Sequence, residues 1–161
     1  MTPAGAVTRR RAVAAEAVFV DALVEADARD ELAALPEPVR GDLARTQVRA
    51  RRASYAGSCP DAVEWLILLD GSPVGRLLLD SGPASVLVVD LRLEAAARGR
   101  GVGTEVLLAV CSEAHRLGLD VTLSARAGSD VERWYRRNGF VDVAEGGADE
   151  ADVLLVRRAD R

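Results

Sequence analysis

One stretch of this chain combines the residue types that bind a phosphate group. It reads Ala-Arg-Gly-Arg-Gly-Val-Gly-Thr from 97 to 104, between an apolar, β-branched segment and an amphipathic one. Glycines let the backbone approach an anion closely, and the first N–H groups of a helix have no partner inside the helix. With the positive end of the helix dipole, these donors favour a pyrophosphate. The predicted site consists of Arg98, Gly99, Arg100, Gly101, Val102, Gly103 and Thr104.

Two common phosphate-binding motifs do not fit this stretch. A dinucleotide-binding fingerprint begins at Gly99 and Gly101, but its third glycine would have to stand at Thr104. A Walker A loop needs a lysine, and all 21 basic residues of this chain are arginines. The pattern that fits is Arg-x-x-Gly-x-Gly at Arg98, Gly101 and Gly103. The alternative to a phosphate-binding loop is a glycine-rich turn that only connects a strand to a helix and binds no ligand.

Metal and nucleophile chemistry has little support in the sequence. His115 is the only histidine, and it is expected in the last turn of a helix, exposed to solvent. Cys59 and Cys111 are far apart and match no metal-ligand spacing. Because Cys111 stands among the apolar residues of a helix, we expect it in the core. We therefore predict no metal site.

The composition limits the class of protein and its partners. With 161 residues, 49% apolar and 29% charged, the chain is expected to form one globular domain, 1–161, with a full core. A net charge of −4 argues against a nucleic-acid partner, so Arg45, Arg49, Arg51 and Arg52 are interpreted as a solvated helix face. No apolar run approaches the roughly 20 residues of a membrane helix. We expect a cytoplasmic protein with no membrane partner.

The predicted elements follow the order β-α-α-β-β-β-α-β-α-β-β after a loose tail at 1–6. Strands are expected at 7–13, 62–69, 74–80, 85–93, 119–125, 140–144 and 153–157, and helices at 14–35, 39–55, 101–117 and 130–138. An acidic, glycine-rich loop is expected at 145–152. Tight turns make the three central strands antiparallel, and the helix that follows them is a right-handed crossover to a parallel strand. We predict an α+β fold with a mixed, mostly antiparallel central sheet of about seven strands and helices on both faces.

This element order and the glycine motif resemble the GNAT superfamily of N-acyltransferases, over most of the chain. In that family the central strand ends in Val/Leu-x-Pro-x-x-Arg-Gly-x-Gly, where this chain has Leu93 at the first position and Ala95 in place of the proline. The resemblance implies acetyl-CoA as the ligand. It also implies that the main chain of Leu91 and Leu93 pairs with the pantetheine arm beside a gap in the sheet. The pyrophosphate would then lie on the amides of residues 98–104.

A second family motif, Tyr-x-x-x-Gly-Phe, is matched from Tyr135 to Phe140. The resemblance implies that Tyr135 lies near the thioester sulfur and is the general acid that protonates the departing thiolate. A thiolate leaves more easily when a nearby O–H donates a proton to it. Taken alone, Trp134 and Tyr135 would instead be core aromatics of a short helix.

Two departures from the family pattern concern the site. Gly128 and Ser129 stand where relatives often carry an asparagine that touches the pantetheine arm, so Ser129 takes that position. Many relatives deprotonate the amine with a strand carboxylate, and Asp90 is the candidate in the central strand, with Glu94 next to it. Strand alternation points Asp90 away from Leu91, although a bulge could re-aim it. A structural hydrogen-bonding role for Asp90 is the other interpretation.

The resulting hypothesis is an acetyl-CoA-dependent N-acetyltransferase in which an amine attacks the thioester directly, without a covalent enzyme intermediate. The alternatives are a module of the same fold that binds CoA or another phosphorylated ligand without catalysis, and an interaction subunit. A small amine, an amino acid, a peptide N-terminus, a protein lysine and an antibiotic all remain open as acceptors. The family's first two helices border the acceptor, which points to Glu31, Gln47 and Tyr55. Relatives often form a homodimer.

Overall fold

The computed structural model describes residues 5–143 and 151–159. The strands are β1 (Val7–Arg11), β2 (Val63–Leu69), β3 (Ser72–Ser81), β4 (Ser85–Leu93), β5 (Asp120–Arg126), β6 (Val141–Asp142) and β7 (Asp152–Arg157). The helices are α1 (Ala17–Glu31), α2 (Val39–Ser58), α3 (Val102–Arg116) and α4 (Asp130–Arg137), with single 3-10 turns at Ala14–Glu16 and Ala95–Ala97. The predicted element order is confirmed. Residues 1–4 of the predicted tail lie outside the described residues. Residues 145–150 of the predicted acidic loop lie outside them as well.

The seven strands form one mixed sheet in the order β1-β2-β3-β4-β5-β7-β6. Every neighbouring pair is antiparallel except β4 and β5, which are parallel, as the crossover through α3 requires. The turn between β2 and β3 has two residues, Asp70 and Gly71, with φ values of +50° and +81°. Such a turn matches the twist of the strands that it joins. The predicted α+β fold is therefore confirmed.

The two faces of the sheet carry different helices. Leu77 and Leu79 of β3 belong to a buried cluster with Val106 and Val110 of α3. Leu78, which points the other way, faces a cavity under α1 and α2. Helices thus cover both faces of the sheet. Side chains on one face of β3 pack toward α3, and those on the other face point toward α1 and α2.

A bulge in β4 decides which of its side chains reach which face. Leu78 pairs with Asp90, but Leu79 pairs with Val88, so Val89 is an extra residue. One extra residue reverses the alternation of side chains along a strand. Val88 before the bulge and Leu91 after it consequently lie on the α3 face together. Asp90 keeps the direction opposite to Leu91.

The sheet also opens beside the same part of β4. The parallel ladder between β4 and β5 runs from Ser85 to Val88, although β4 continues to Leu93. Among the described residues, β4 has no ladder partner on the β5 side beyond Val88. The backbone edge of residues 89–93 therefore borders a gap in the sheet.

Three of the sequence expectations concern membranes, metals and the core. None of the helices in residues 5–143 and 151–159 is both long and apolar enough to cross a membrane. The same residues contain no cluster of three or more His, Cys, Asp or Glu side chains that could hold a metal ion. Cys111 is 1% exposed inside the α3 cluster, which confirms its predicted place in the core.

Candidate active site

The glycine-rich stretch forms a turn that leaves backbone amides available at the start of α3. Gly99 and Gly101 adopt φ values of +68° and +81°, a region that side chains other than glycine rarely occupy. The first helical hydrogen bond runs from the Glu105 N–H to the Gly101 carbonyl, at 3.0 Å. The amides of residues 102–104 precede that bond, so they are the helix-terminal donors that an anion can use.

A cavity of about 440 Å³ lies where β4, α3 and α4 meet, and we call it the loop cavity. Eight of the residues predicted from the sequence line it: Leu91, Leu93, Arg98, Gly99, Gly101, Gly103, Thr104 and Tyr135. The glycine motif and the tyrosine motif are more than 30 residues apart in the chain. The fold thus brings two independently recognised motifs into one cavity.

Three other residues that are predicted to bind the cofactor lie outside the lining of the loop cavity. The side chain of Val102 is fully buried in the core, so this residue can offer only its backbone amide. Arg100 is exposed to solvent. The Ser129 hydroxyl accepts a hydrogen bond from the Glu132 N–H at 3.0 Å and caps α4. A contact of Arg100 or Ser129 with a ligand stays a prediction.

Two residues of α4 that the sequence analysis did not assign to the site also line the loop cavity. Val131 is half-exposed at its edge, and the Trp134 indole N–H donates to the Thr104 hydroxyl at 3.1 Å. This hydrogen bond joins α4 to the first turn of α3. Val131, Trp134 and Tyr135 have the i, i+3, i+4 spacing of one helix face, which is the signal that could have found them.

Tyr135 is buried among aromatic rings at the inner end of the loop cavity. It is 6% exposed, with ring centroids 4.8 Å from Trp134 and 5.7 Å from Phe140. Burial raises the pKa of its hydroxyl to about 12, and the negative charge of Asp90 acts in the same direction. No hydrogen bond to another described residue occupies this hydroxyl. At neutral pH this hydroxyl is protonated, and Tyr135 is one of the residues that line the loop cavity.

The raised pKa of Tyr135 predicts a loss of stability at high pH. The hydroxyl ionises near pH 10 in the unfolded chain and near pH 12 in the folded one, so the unfolded chain releases its proton first. The free energy of unfolding should therefore fall as the pH rises from 10 to 12, by about 1 kcal/mol at pH 11. Urea denaturation at pH 9 and pH 11 measures this fall, and Tyr135→Phe should show less of it. Equal falls in both proteins would contradict the assigned pKa.

The guanidinium of Arg98 is held by groups of the protein itself. Its Nε–H donates to the Leu93 carbonyl at 2.9 Å, and the guanidinium pairs with Asp27 of α1. Asp27 also pairs with Arg92 of β4, at 2.7 Å. Arg98 thus fixes the glycine turn to both the end of β4 and α1.

Asp90 belongs to a row of alternating charges that begins at Arg98. Asp90 pairs with Arg92 at 2.8 Å and with Arg76 at 3.5 Å, and Arg76 pairs with Glu64 at 2.9 Å. We call this row the charged chain: Arg98, Asp27, Arg92, Asp90, Arg76 and Glu64. Its geometry supports the structural interpretation of Asp90, whose carboxylate does not line the loop cavity. Its role as a base stays a prediction.

A second cavity, of about 380 Å³, lies on the opposite face of the sheet under α2, and we call it the α2 cavity. Its charged and hydroxyl-bearing lining comes from Asp21 on α1, from Arg51, Arg52 and Tyr55 on α2, and from Glu64 and Arg76 on the sheet. Tyr55 is thus the predicted acceptor residue that borders a cavity. Glu31 and Gln47 are exposed and do not line it.

Comparisons with known proteins address the family of this fold. A family model described as the acetyltransferase (GNAT) family matches residues 26–140. No curated protein matches the chain. Among solved structures, the PaiA N-acetyltransferase from Thermoplasma acidophilum in complex with coenzyme A is similar, with a TM-score of 0.70 and 14% identity over 95% of this chain and 99% of that one.

Two further solved structures have the same fold. An acetyltransferase from Thermus thermophilus is similar with a TM-score of 0.68 and 16% identity, over 98% of this chain and 99% of that one. Ard1 from Thermoplasma volcanium is similar with a TM-score of 0.65 and 16% identity, over 97% of this chain and 99% of that one. At these identities the likeness shows the fold alone. The family model, however, spans more than half of the sequence, and the chain belongs to the acetyltransferase (GNAT) family.

Proposed function

We propose that this protein is an N-acetyltransferase that moves the acetyl group of acetyl-CoA to an amine. The amine nitrogen attacks the thioester carbonyl directly, and the C–S bond breaks as the C–N bond forms. The proton that the nitrogen loses balances the one that the thiolate takes up, and no covalent intermediate forms on the protein. The observation that carries this proposal is the loop cavity, which joins the free amides of α3 to the protonated hydroxyl of Tyr135. A pyrophosphate site and a proton donor within one cavity are the two features that a CoA thioester needs.

The residues of the loop cavity fit coenzyme A. The amides of residues 102–104 can bind the pyrophosphate, and the open edge of β4 at 89–93 can pair with the amide groups of the pantetheine arm. Gly103 lines the loop cavity without a side chain, and a Cβ atom there would be in ordinary contact with the Leu93 side chain, at 3.5 Å, and with the Trp134 ring, at 3.6 Å. A larger side chain at this position would take up space in the cavity. Acetyl-CoA supplies an acetyl group that is already activated as a thioester.

The protein's own groups would act on the charges that develop during transfer. Tyr135 holds a proton at Oη at neutral pH, because the pKa of this hydroxyl is raised to about 12. We propose that this hydroxyl donates to the departing thiolate in the transition state, where negative charge develops on sulfur. Backbone N–H groups at Leu91 and Leu93, beside the gap in the sheet, can stabilise an oxyanion. The acceptor would reach this point from the opposite face, through the gap between β4 and β5.

The first test is the melting temperature with acetyl-CoA, with ATP and NAD as controls. A ligand at about 100 times its Kd should stabilise the protein by roughly 2.7 kcal/mol, which is a visible shift. We expect a shift with acetyl-CoA alone, followed by CoA release in the presence of an amine. No shift at saturating acetyl-CoA would contradict the proposed cofactor, and a shift without turnover on a broad amine panel would favour a binding module.

A further inference from the structure

We propose that the acceptor carries a carboxylate as well as its amine, and that Arg51 in the α2 cavity binds this carboxylate. The inference rests on the proposed function and concerns only the class of the acceptor. It favours a small amino-carboxylate, such as an amino acid, over a peptide N-terminus or a protein lysine. Three features of the molecule support it: the position of the cavity, its charge balance and the polar groups around Arg51.

The α2 cavity lies at the same level of the sheet as the loop cavity. Leu78, which lines the α2 cavity, pairs with Asp90, and Leu77 on the next rung pairs with Leu91, which lines the loop cavity. The two cavities therefore lie on opposite faces of the sheet, beside neighbouring residue pairs of β3 and β4. A small molecule held under α2 at Leu78 is one strand away from the part of β4 that borders the gap in the sheet.

The arginines of the α2 cavity differ in how their charges are balanced. Arg52 pairs with Asp21, and Arg76 belongs to the charged chain, in which three arginines meet three carboxylates. Arg51 is half-buried, and no ion pair or hydrogen bond joins it to any residue that the structure describes. The lining therefore presents one guanidinium whose charge has no partner in the described chain. A carboxylate matches the planar fork of that group.

Tyr55 lies one helical turn from Arg51, so both project from the same face of α2 into the cavity. Burial raises the pKa of the Tyr55 hydroxyl, and the charge of Asp90 raises it further. The cations Arg51, Arg92 and Arg76 act on the same hydroxyl in the opposite direction. Tyr55 is thus a protonated donor among these charges, and it can share a bound carboxylate with Arg51.

The sheet wall of the cavity offers a further donor and a site for the amine. The Nε–H of Arg76 is buried without a hydrogen-bond partner among the described residues. Buried N–H groups are nearly always paired, so this wall is short of acceptors when no ligand is bound. Glu64, which pairs with Arg76 and lines the same cavity, provides negative charge for an ammonium group. An amino-carboxylate supplies both charges that the cavity complements.

The test compares apolar L-amino acids with their carboxamides as acceptors. The carboxamide keeps the amine and the side chain but loses the negative charge, and it resembles a peptide N-terminus. We expect kcat/KM to be at least about 10-fold higher for the acid, the size of one charge-assisted hydrogen bond. Arg51→Gln should remove this preference. A carboxamide that reacts as well as the acid in the wild-type protein would overturn the inference and favour a peptide acceptor.

Arg49→Gln is the matched control, because Arg49 is exposed on the same helix and does not line the cavity. It should keep the preference for the acid. Binding of the same pairs to the protein with and without CoA, measured by calorimetry, separates this inference from the proposed reaction. Binding of the acids alone, lost in Arg51→Gln, would uphold the inference even without turnover. Equal binding of both members, or of neither, would overturn it, whatever the outcome of the acetyl-CoA test.

Discussion

Replacing Tyr135 with phenylalanine is expected to lower kcat by roughly 10²- to 10⁴-fold, the usual contribution of a general acid. The substitution removes the proton donor and keeps the ring that packs against Trp134 and Phe140. Since no described residue is hydrogen-bonded to the hydroxyl, no partner is left unsatisfied. We therefore expect the melting temperature and the affinity for acetyl-CoA to change little, and the loss to appear in turnover.

The leaving group provides an internal control for the assignment of Tyr135. A thiol of low pKa departs without help from an acid, so the deficit of Tyr135→Phe should shrink when the acetyl donor is a thioester of a more acidic thiol. Steady-state kinetics with two such donors, in the wild-type protein and the variant, measure this difference. Full kcat in Tyr135→Phe, or the same deficit with both donors, would mean that another group protonates the thiolate.

The parts of this site that the sequence could predict are those that depend on short motifs of consecutive residues. The glycine turn and the first turn of α3 follow from residue types within eight consecutive positions, and their backbone has the expected conformation. Tyr135 was assigned from a motif of six residues. Such motifs indicate the local backbone conformation, and glycine at a position with positive φ is the clearest example.

The bulge at Val89 could not be placed from the sequence. Residues 86–89 are all apolar, and Asp90 and Arg92 then alternate with Leu91 and Leu93, so the pattern predicts one uninterrupted strand. Only the pairing with β3 shows that Leu78 meets Asp90 while Leu79 meets Val88. The extra residue puts Val88 and Leu91 on the same face of the sheet, and Leu91 lines the loop cavity there.

The ion pairs around the site could not be predicted from short motifs either, because they join residues that are far apart in the sequence. Asp27 is 65 residues from Arg92 and 71 residues from Arg98, and only the packing of α1 brings them together. The arginines of α2 were predicted to form a solvated face. Arg45, Arg49 and Arg52 are exposed, as this prediction requires, whereas Arg51 is half-buried against the α2 cavity. The composition of a helix does not reveal which of its charges faces a cavity.

Replacing Gly103 with valine is expected to weaken acetyl-CoA binding by roughly 10- to 100-fold, the effect of overfilling a packed site. The new Cβ would lie between the Leu93 side chain and the Trp134 ring, and the two methyl groups beyond it must enter the loop cavity. Valine has a higher helix propensity than glycine, so the free protein should not lose much stability. Calorimetric titration with acetyl-CoA and the melting temperature without ligand measure the two effects separately.

Gly57→Val is the matched control, because Gly57 is also helical and a Cβ atom there would meet nothing within 4 Å. Both variants make the same chemical change within a helix, but only one of them changes the loop cavity. We expect Gly57→Val to bind acetyl-CoA like the wild-type protein. If Gly103→Val bound equally well while remaining folded, the ligand could not pass between Leu93 and Trp134. The proposed path from the α3 amides to Tyr135 would then be wrong, even with the family assignment intact.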